Sequence, residues 1–123
     1  MRIVNEGPGL GREGYMEKFV AYEVALDLIS GLRPLVGGLK TRNKDLADQM
    51  KRAAESVVLN IAEGNRRVGK DRLHFFRIAQ GSASEVGACL DVAARWGEIA
   101  SKDAEAVMRL LGRELALLRG LAR

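Results

Sequence analysis

Apolar residues recur at three- and four-residue steps along most of this chain, and nowhere do apolar and polar residues alternate over the length of a strand. A period near 3.6 gives each stretch one face for a neighbour and one for water, which predicts helices packed on helices. Four such stretches are separated by short breaks, estimated at four to eight residues, and short connections favour antiparallel neighbours. The expected fold is therefore all-α, an antiparallel up-down-up-down four-helix bundle. At 123 residues the chain suits one domain that buries its core without disulfides or metals. The bundle is expected over residues 15–123, preceded by a glycine-rich, mixed-charge leader over residues 1–14.

The first segment spans about Glu17 to Val36, with Phe19, Tyr22, Leu26, Ile29, Leu32 and Val36 as its apolar stripe. Pro34 removes an amide and predicts a bend or early end, with Gly37 and Gly38 as the stop. The second starts near Asn43 or Asp45 as cap and buries Leu46, Met50, Ala53, Val57 and Ile61, with Ala54 and Val58 beside them. Gly64 or Asn65 is expected to close it in a left-handed conformation. The third runs from about Gly69–Asp71 to Trp96 around Phe76, Ala79, Ala83, Val86, Leu90 and Ala93. Ile78, Cys89, Val92 and Trp96 widen its apolar arc. The fourth is expected to be capped by Ser101 or Asp103 and reaches Leu121 along Val107, Leu111, Leu115, Leu118 and Ala122, flanked by Leu110, Leu117 and Leu121.

Composition narrows the function classes. Aromatics are 5% of the chain, so the core is aliphatic and alanine-rich. One cysteine, Cys89, excludes an internal disulfide and suits a reducing, cytoplasmic setting. No apolar run approaches the ~20 residues that span a bilayer, so no membrane association is expected. Twenty basic against 16 acidic residues give a net charge of +4, mostly carried by arginine, whose planar fork suits phosphate and carboxylate.

One stretch is more specific than periodicity requires. Gln49, Arg52, Ala53 and Ser56 lead into Asn60-Ile61-Ala62-Glu63-Gly64, followed by Phe76, Ile78, Ala79, Gly81, Ser82 and Glu85. From about Phe19 to Leu118 the chain resembles the four-helix bundle proteins encoded by intervening sequences in large ribosomal RNA genes. The accessory variability determinants of diversity-generating retroelements are similar. The resemblance implies a small bundle that assembles into rings, pentameric in the retroelement branch, where the protein binds a reverse transcriptase and nucleic acid through a basic surface.

The spacing of Gln49, Arg52, Ser56, Asn60 and Glu63 forms one polar stripe beside the core stripe of the second segment. A hydrogen-bonded seam is the favoured role, because polar groups at a helix interface need partners; a recognition groove is the alternative. Gly64, Gly81, Ser82 and Glu85 join this motif as scaffold. The small residues Gly81 to Ser84, Gly87 and Ala88 point to close helix approach, since mid-helix glycine costs ~1 kcal/mol relative to alanine. His74 is the only histidine, and no zinc-spaced or di-iron set accompanies it, so neither a metal nor another cofactor is expected. With no nucleophile–base pair either, an enzyme is the least favoured class.

Basic residues carry the functional expectation. In an up-down bundle the second connection and both termini share one end, which gathers Arg66, Arg67, Lys70, Arg72, Arg119 and Arg123. A second basic set, Lys40, Arg42 and Lys44 with Lys102, marks the opposite end. The first set is the expected nucleic-acid or partner contact. The favoured function is a non-enzymatic, homo-oligomeric adaptor associated with RNA or DNA, accessory to a reverse transcriptase. The alternative is a protein–protein module whose cations only aid solubility. Leu59, Ile78, Val92 and Trp96 are candidates for a subunit-facing surface.

Overall fold

The structure, a computed structural model, describes the backbone of residues 12–123 and the side chains of residue 16 and of residues 18–123. Four helices follow in order: α1 (Arg12–Arg42), α2 (Lys44–Asn65), α3 (Gly69–Arg95) and α4 (Ser101–Leu121). The elements among the described residues are all helices, and α1 packs on α2, α2 on α3, α3 on α4 and α4 back on α1. This closed square of neighbours is the antiparallel four-helix bundle that the periodicity predicts. Most of the expected leader lies outside the described residues; its last three residues already belong to α1.

The first helix departs from its expected length. It runs through Pro34, Gly37 and Gly38 and ends at Arg42. Pro34, Gly37 and Gly38 are all exposed, so the missing amide falls on the side where water can satisfy the carbonyl it leaves open. Beyond them Leu39 is fully buried and pulls the last turn into the core. Its carbonyl accepts from the Asn43 amide at 2.7 Å. Asn43 is thus the whole connection between α1 and α2, shorter than expected. Its side chain caps α2 by accepting from the Leu46 amide at 3.2 Å.

The buried stripe of α1 is also displaced. Ala21, Val24, Ala25, Leu28, Leu32 and Leu39 are buried, whereas Leu26 is exposed and Phe19, Tyr22, Ile29 and Val36 are only half-buried. Ala21 and Ala25 share the centre of the arc with Leu28, Leu32 and Leu39, while Tyr22, Ile29 and Val36 pack along its edge. Alanine recurs elsewhere in the core at positions 47, 53, 54, 79, 83 and 93, which lets the backbones approach. Larger side chains fill the layers between: Met50, Ile61, Phe76, Leu90, Leu111 and Leu118, each contributing about 1.5–3 kcal/mol by burial.

Two helix ends differ from expectation. Neither Gly64 nor Asn65 is left-handed; positive φ occurs only at Gly69 (60°) and Gly97 (72°) among the described residues. Gly64 is needed for space, since a Cβ there would lie 2.6 Å from Phe76 Cε1. The N-cap of α4 is Ala100, with no side-chain capping bond, and Ser101 and Asp103 fall inside the first turn.

Candidate nucleic-acid interface

The polar stripe of α2 lies along the seam with α3. Ser56 Oγ and Ser82 Oγ are 2.7 Å apart and share a hydrogen bond across it. Asn60 Nδ2 donates to the Ser56 carbonyl at 2.8 Å and to Ser56 Oγ at 3.0 Å. Gln49 Nε2 donates to Glu85 Oε2 at 3.3 Å. Seryl, amide and carboxylate groups thus satisfy one another at the edge of an apolar core. Arg52 is exposed and stands outside this chain of bonds. Gly81 is not a close-approach position: it is exposed, and a Cβ there would meet nothing within 4 Å. Gly87 is one, because a Cβ there would lie 3.1 Å from Leu111 Cδ2.

The seam ends at the α2–α3 turn, where Arg66, Arg67 and Lys70 are exposed within five residues of chain. Arg67 is held. Its Nε donates to Glu63 Oε2 at 2.9 Å, its Nη1 lies 3.9 Å from Asp71 Oδ2, and its guanidinium sits 5.2 Å from the centre of the Phe75 ring. This one side chain therefore occupies both acids of the turn. Arg66 and Lys70, with Arg119 and Arg123 on the last turn of α4 and beyond it, are exposed and form no ion pair among the described residues. The first turn of α3 faces the same end with no side-chain cap on its amides, and a helix N-terminus favours anions.

Arg72 does not join this surface. It is 4% exposed, and Nε and Nη2 are buried without a hydrogen-bond partner among the described residues. Burial lowers its pKa from the usual arginine value. Its place three residues after Gly69 turns it toward the core stripe of α3, one turn before Phe76. It is therefore withdrawn as a surface contact for phosphate.

The opposite end carries less open charge. Arg42 Nη1 donates to the Glu98 carbonyl at 3.2 Å, tying the two turns of that end together. Lys44 Nζ pairs with Asp48 at 2.7 Å, a bond that raises the lysine pKa and lowers that of the carboxyl. Lys40 is exposed and unpaired among the described residues. His74 is exposed with its ring edge-on to Phe75 at 5.4 Å. Cys89 is buried, and burial with nearby Glu85 pushes its thiol pKa up, away from reactive thiolate. No group of three or more histidine, cysteine, aspartate or glutamate residues able to hold a metal occurs among the described residues. Among the described residues, no helix is long and apolar enough to cross a membrane.

One buried carboxyl was not expected from the sequence. Glu114 sits on the inner stripe of α4, three residues after Leu111 and four before Leu118, and is fully buried. Neither carboxylate oxygen has a hydrogen-bond partner among the described residues, and burial raises its pKa from 4.5 to about 8. A charged residue inside an otherwise apolar stripe was the available signal.

These features define a class: a small all-α bundle with a polar α2–α3 seam and a basic end. The sequence profile described as 23S rRNA-intervening sequence protein matches residues 17–120, and the chain belongs to that family. No curated protein matches it. Among solved structures, a protein of unknown function from the S23 ribosomal protein family of Bacteroides thetaiotaomicron VPI-5482 is similar in fold. It aligns with a TM-score of 0.77 and 20% identity over 84% of this chain and 98% of that one.

Proposed function

We propose that this protein is a non-enzymatic, homo-oligomeric adaptor that contacts RNA or DNA through its basic end and serves a nucleic-acid enzyme such as a reverse transcriptase. The observation that carries the reading is the charge arrangement at the α2–α3 turn. Arg67 engages Glu63 and Asp71, so Arg66, Lys70 and Arg119 stand exposed with no ion pair among the described residues. Point cations on a rigid helical end, beside the amides of a helix start, suit phosphate oxygens without reading base edges. Binding on this basis is weakly sequence-specific and falls steeply with salt. Membership of a family named for rRNA intervening sequences supports a nucleic-acid setting.

The test is fluorescence anisotropy with single-stranded RNA and duplex DNA over a salt series. The reading expects measurable affinity near 50 mM salt that is largely lost near 200 mM. Arg66→Ala, Lys70→Ala and Arg119→Ala should each reduce the slope of log K against log salt by roughly 0.7–0.9. No affinity at low salt overturns direct nucleic-acid contact.

A further inference from the structure

Two polar residues are buried at the basic end of the bundle, where the core stripes of α2 and α3 run out. Asn65 stands four residues after Ile61 on α2 and is fully buried; Arg72 stands four before Phe76 on α3 and is 4% exposed. Gly64 packs against Phe75 and Phe76. At 1.5 Å per residue, that register puts Arg72 roughly 3–5 Å nearer the end of the bundle than Asn65. Both amide atoms of Asn65, and Nε and Nη2 of Arg72, have no hydrogen-bond partner among the described residues. Buried polar groups are costly when nothing answers them. The acids of the turn do not, since Arg67 engages Glu63 and Asp71. Nε and Nη2 form one edge of the guanidinium, the edge that grips two oxygens of a carboxylate or phosphate. A helical side chain leans toward the N-terminus of its helix, so Arg72 lies over the first turn of α3. The amides of that turn have no side-chain cap and favour an anion.

We infer that Arg72, Asn65 and the first-turn amides of α3 form a site for one phosphate group, a monoester such as that at the end of a nucleic-acid strand. The Arg72 edge takes two oxygens, and Asn65 Nδ2 and the α3 amides supply donors for the third. A phosphate within a strand carries chain on both sides, which so enclosed a fork does not admit. A terminal monoester has a single attachment and most of a second negative charge at neutral pH. Arg66 and Lys70, exposed beside the same turn, then meet the phosphates that follow. Arg72 is thus a buried contact, distinct from the surface cations. The inference rests on the basic-end reading for the strand that carries the phosphate, whereas the site itself can be tested without one.

Thermal melts of the full chain in inorganic phosphate against chloride at equal ionic strength test the site. Fluorescence anisotropy of one RNA sequence with a 5′-phosphate, a 3′-phosphate or only hydroxyl ends tests the source of the group. The midpoint should rise by several degrees in phosphate, and a phosphate-ended strand should bind about tenfold more tightly than the hydroxyl-ended one. Arg72→Leu continues the apolar stripe of α3 and should keep its helical circular dichroism, melt no lower than wild type in chloride, and lose both effects. Asn65→Asp retains Arg72 but sets a carboxylate beside it, and should lose both effects as well. A phosphate response through Arg72 without preference for strand ends supports the site and makes the free anion its ligand. Equal midpoints in phosphate and chloride together with equal affinities for all strand ends overturn the inference, as does an Arg72→Leu chain that responds like wild type. Salt-dependent RNA affinity in those cases leaves the basic-end reading standing. A phosphate response through Arg72 without RNA affinity at low salt does the reverse.

Discussion

Glu114 gives the bundle a stability that should fall as pH rises. The carboxyl is fully buried on α4, and burial raises its pKa from 4.5 to about 8 against a smaller opposing effect of Arg113. Among the described residues, the buried charged ones on the two helices packed against α4 are Lys18 on α1 and Arg72 on α3. The register places them away from it. Gly31 lies opposite Val107 and Gly87 opposite Leu111, so Glu114 is level with about Val24 and Ser84. Lys18 is then roughly 9 Å and Arg72 roughly 18 Å away along the bundle axis, from a rise of 1.5 Å per residue.

Below pH 4.5 the folded and unfolded chains both carry the proton, and Glu114 imposes no titration cost. Between pH 4.5 and 8 the folded chain holds a proton that the unfolded chain has lost, so stability declines with rising pH. At ~1.36 kcal/mol per pH unit the deficit is on the order of 3 kcal/mol at pH 7 and 5 kcal/mol above pH 8. That is a large share of the ~5–15 kcal/mol typical of a domain. Urea denaturation followed by circular dichroism from pH 4.5 to 8.5, on wild type and Glu114→Leu, isolates the effect from every other titrating group. The leucine variant should be more stable, by a margin that widens with pH to about that size. Parallel pH profiles for the two chains would refute the reasoning. A less stable leucine variant at pH 8 would show instead an ionised, paired carboxylate.

Three further outcomes follow from the packing. Gly64→Ala places a Cβ within 2.6–2.8 Å of the buried Phe76 ring and should destabilise by about 1–3 kcal/mol, while Gly81→Ala, in open space on α3, should stabilise by up to ~1 kcal/mol. Thermal melts of the pair check both signs. Asn60→Ala removes two bonds to Ser56 and should cost about 1 kcal/mol in a urea titration while leaving anisotropy-measured RNA affinity unchanged; lost affinity at full stability would move the stripe from scaffold to recognition. Pro34→Ala supplies an amide to an exposed turn of α1 and should raise the denaturation midpoint, by no more than the ~3 kcal/mol proline penalty.

Much of the candidate site was legible in sequence because it follows from chain order. Proximity within five residues across the α2–α3 turn gathers Arg66, Arg67 and Lys70, and antiparallel topology brings Arg119 to the same end. Burial was not legible in the same way. Arg72 belongs to the same basic run by composition, yet its helical phase carries it inward with Phe76. Leu26 was favoured over Ala25 on size, whereas the buried stripe of α1 runs through Ala21, Ala25, Leu28, Leu32 and Leu39 and leaves Leu26 exposed.

The periodicity of apolar residues determined by itself that this chain forms four helices, and the short breaks determined that they run antiparallel. Helix formation and helix phase are local properties, fixed by residues within a few turns. Tertiary structure alone decided which residues the neighbours cover. It carried α1 through Pro34 because Leu39 is buried beyond it, made Gly64 a matter of room for Phe76, and enclosed Glu114 without a partner among the described residues. It also left Trp96 outside, since covering a side chain depends on what other helices, or another copy, bring to it.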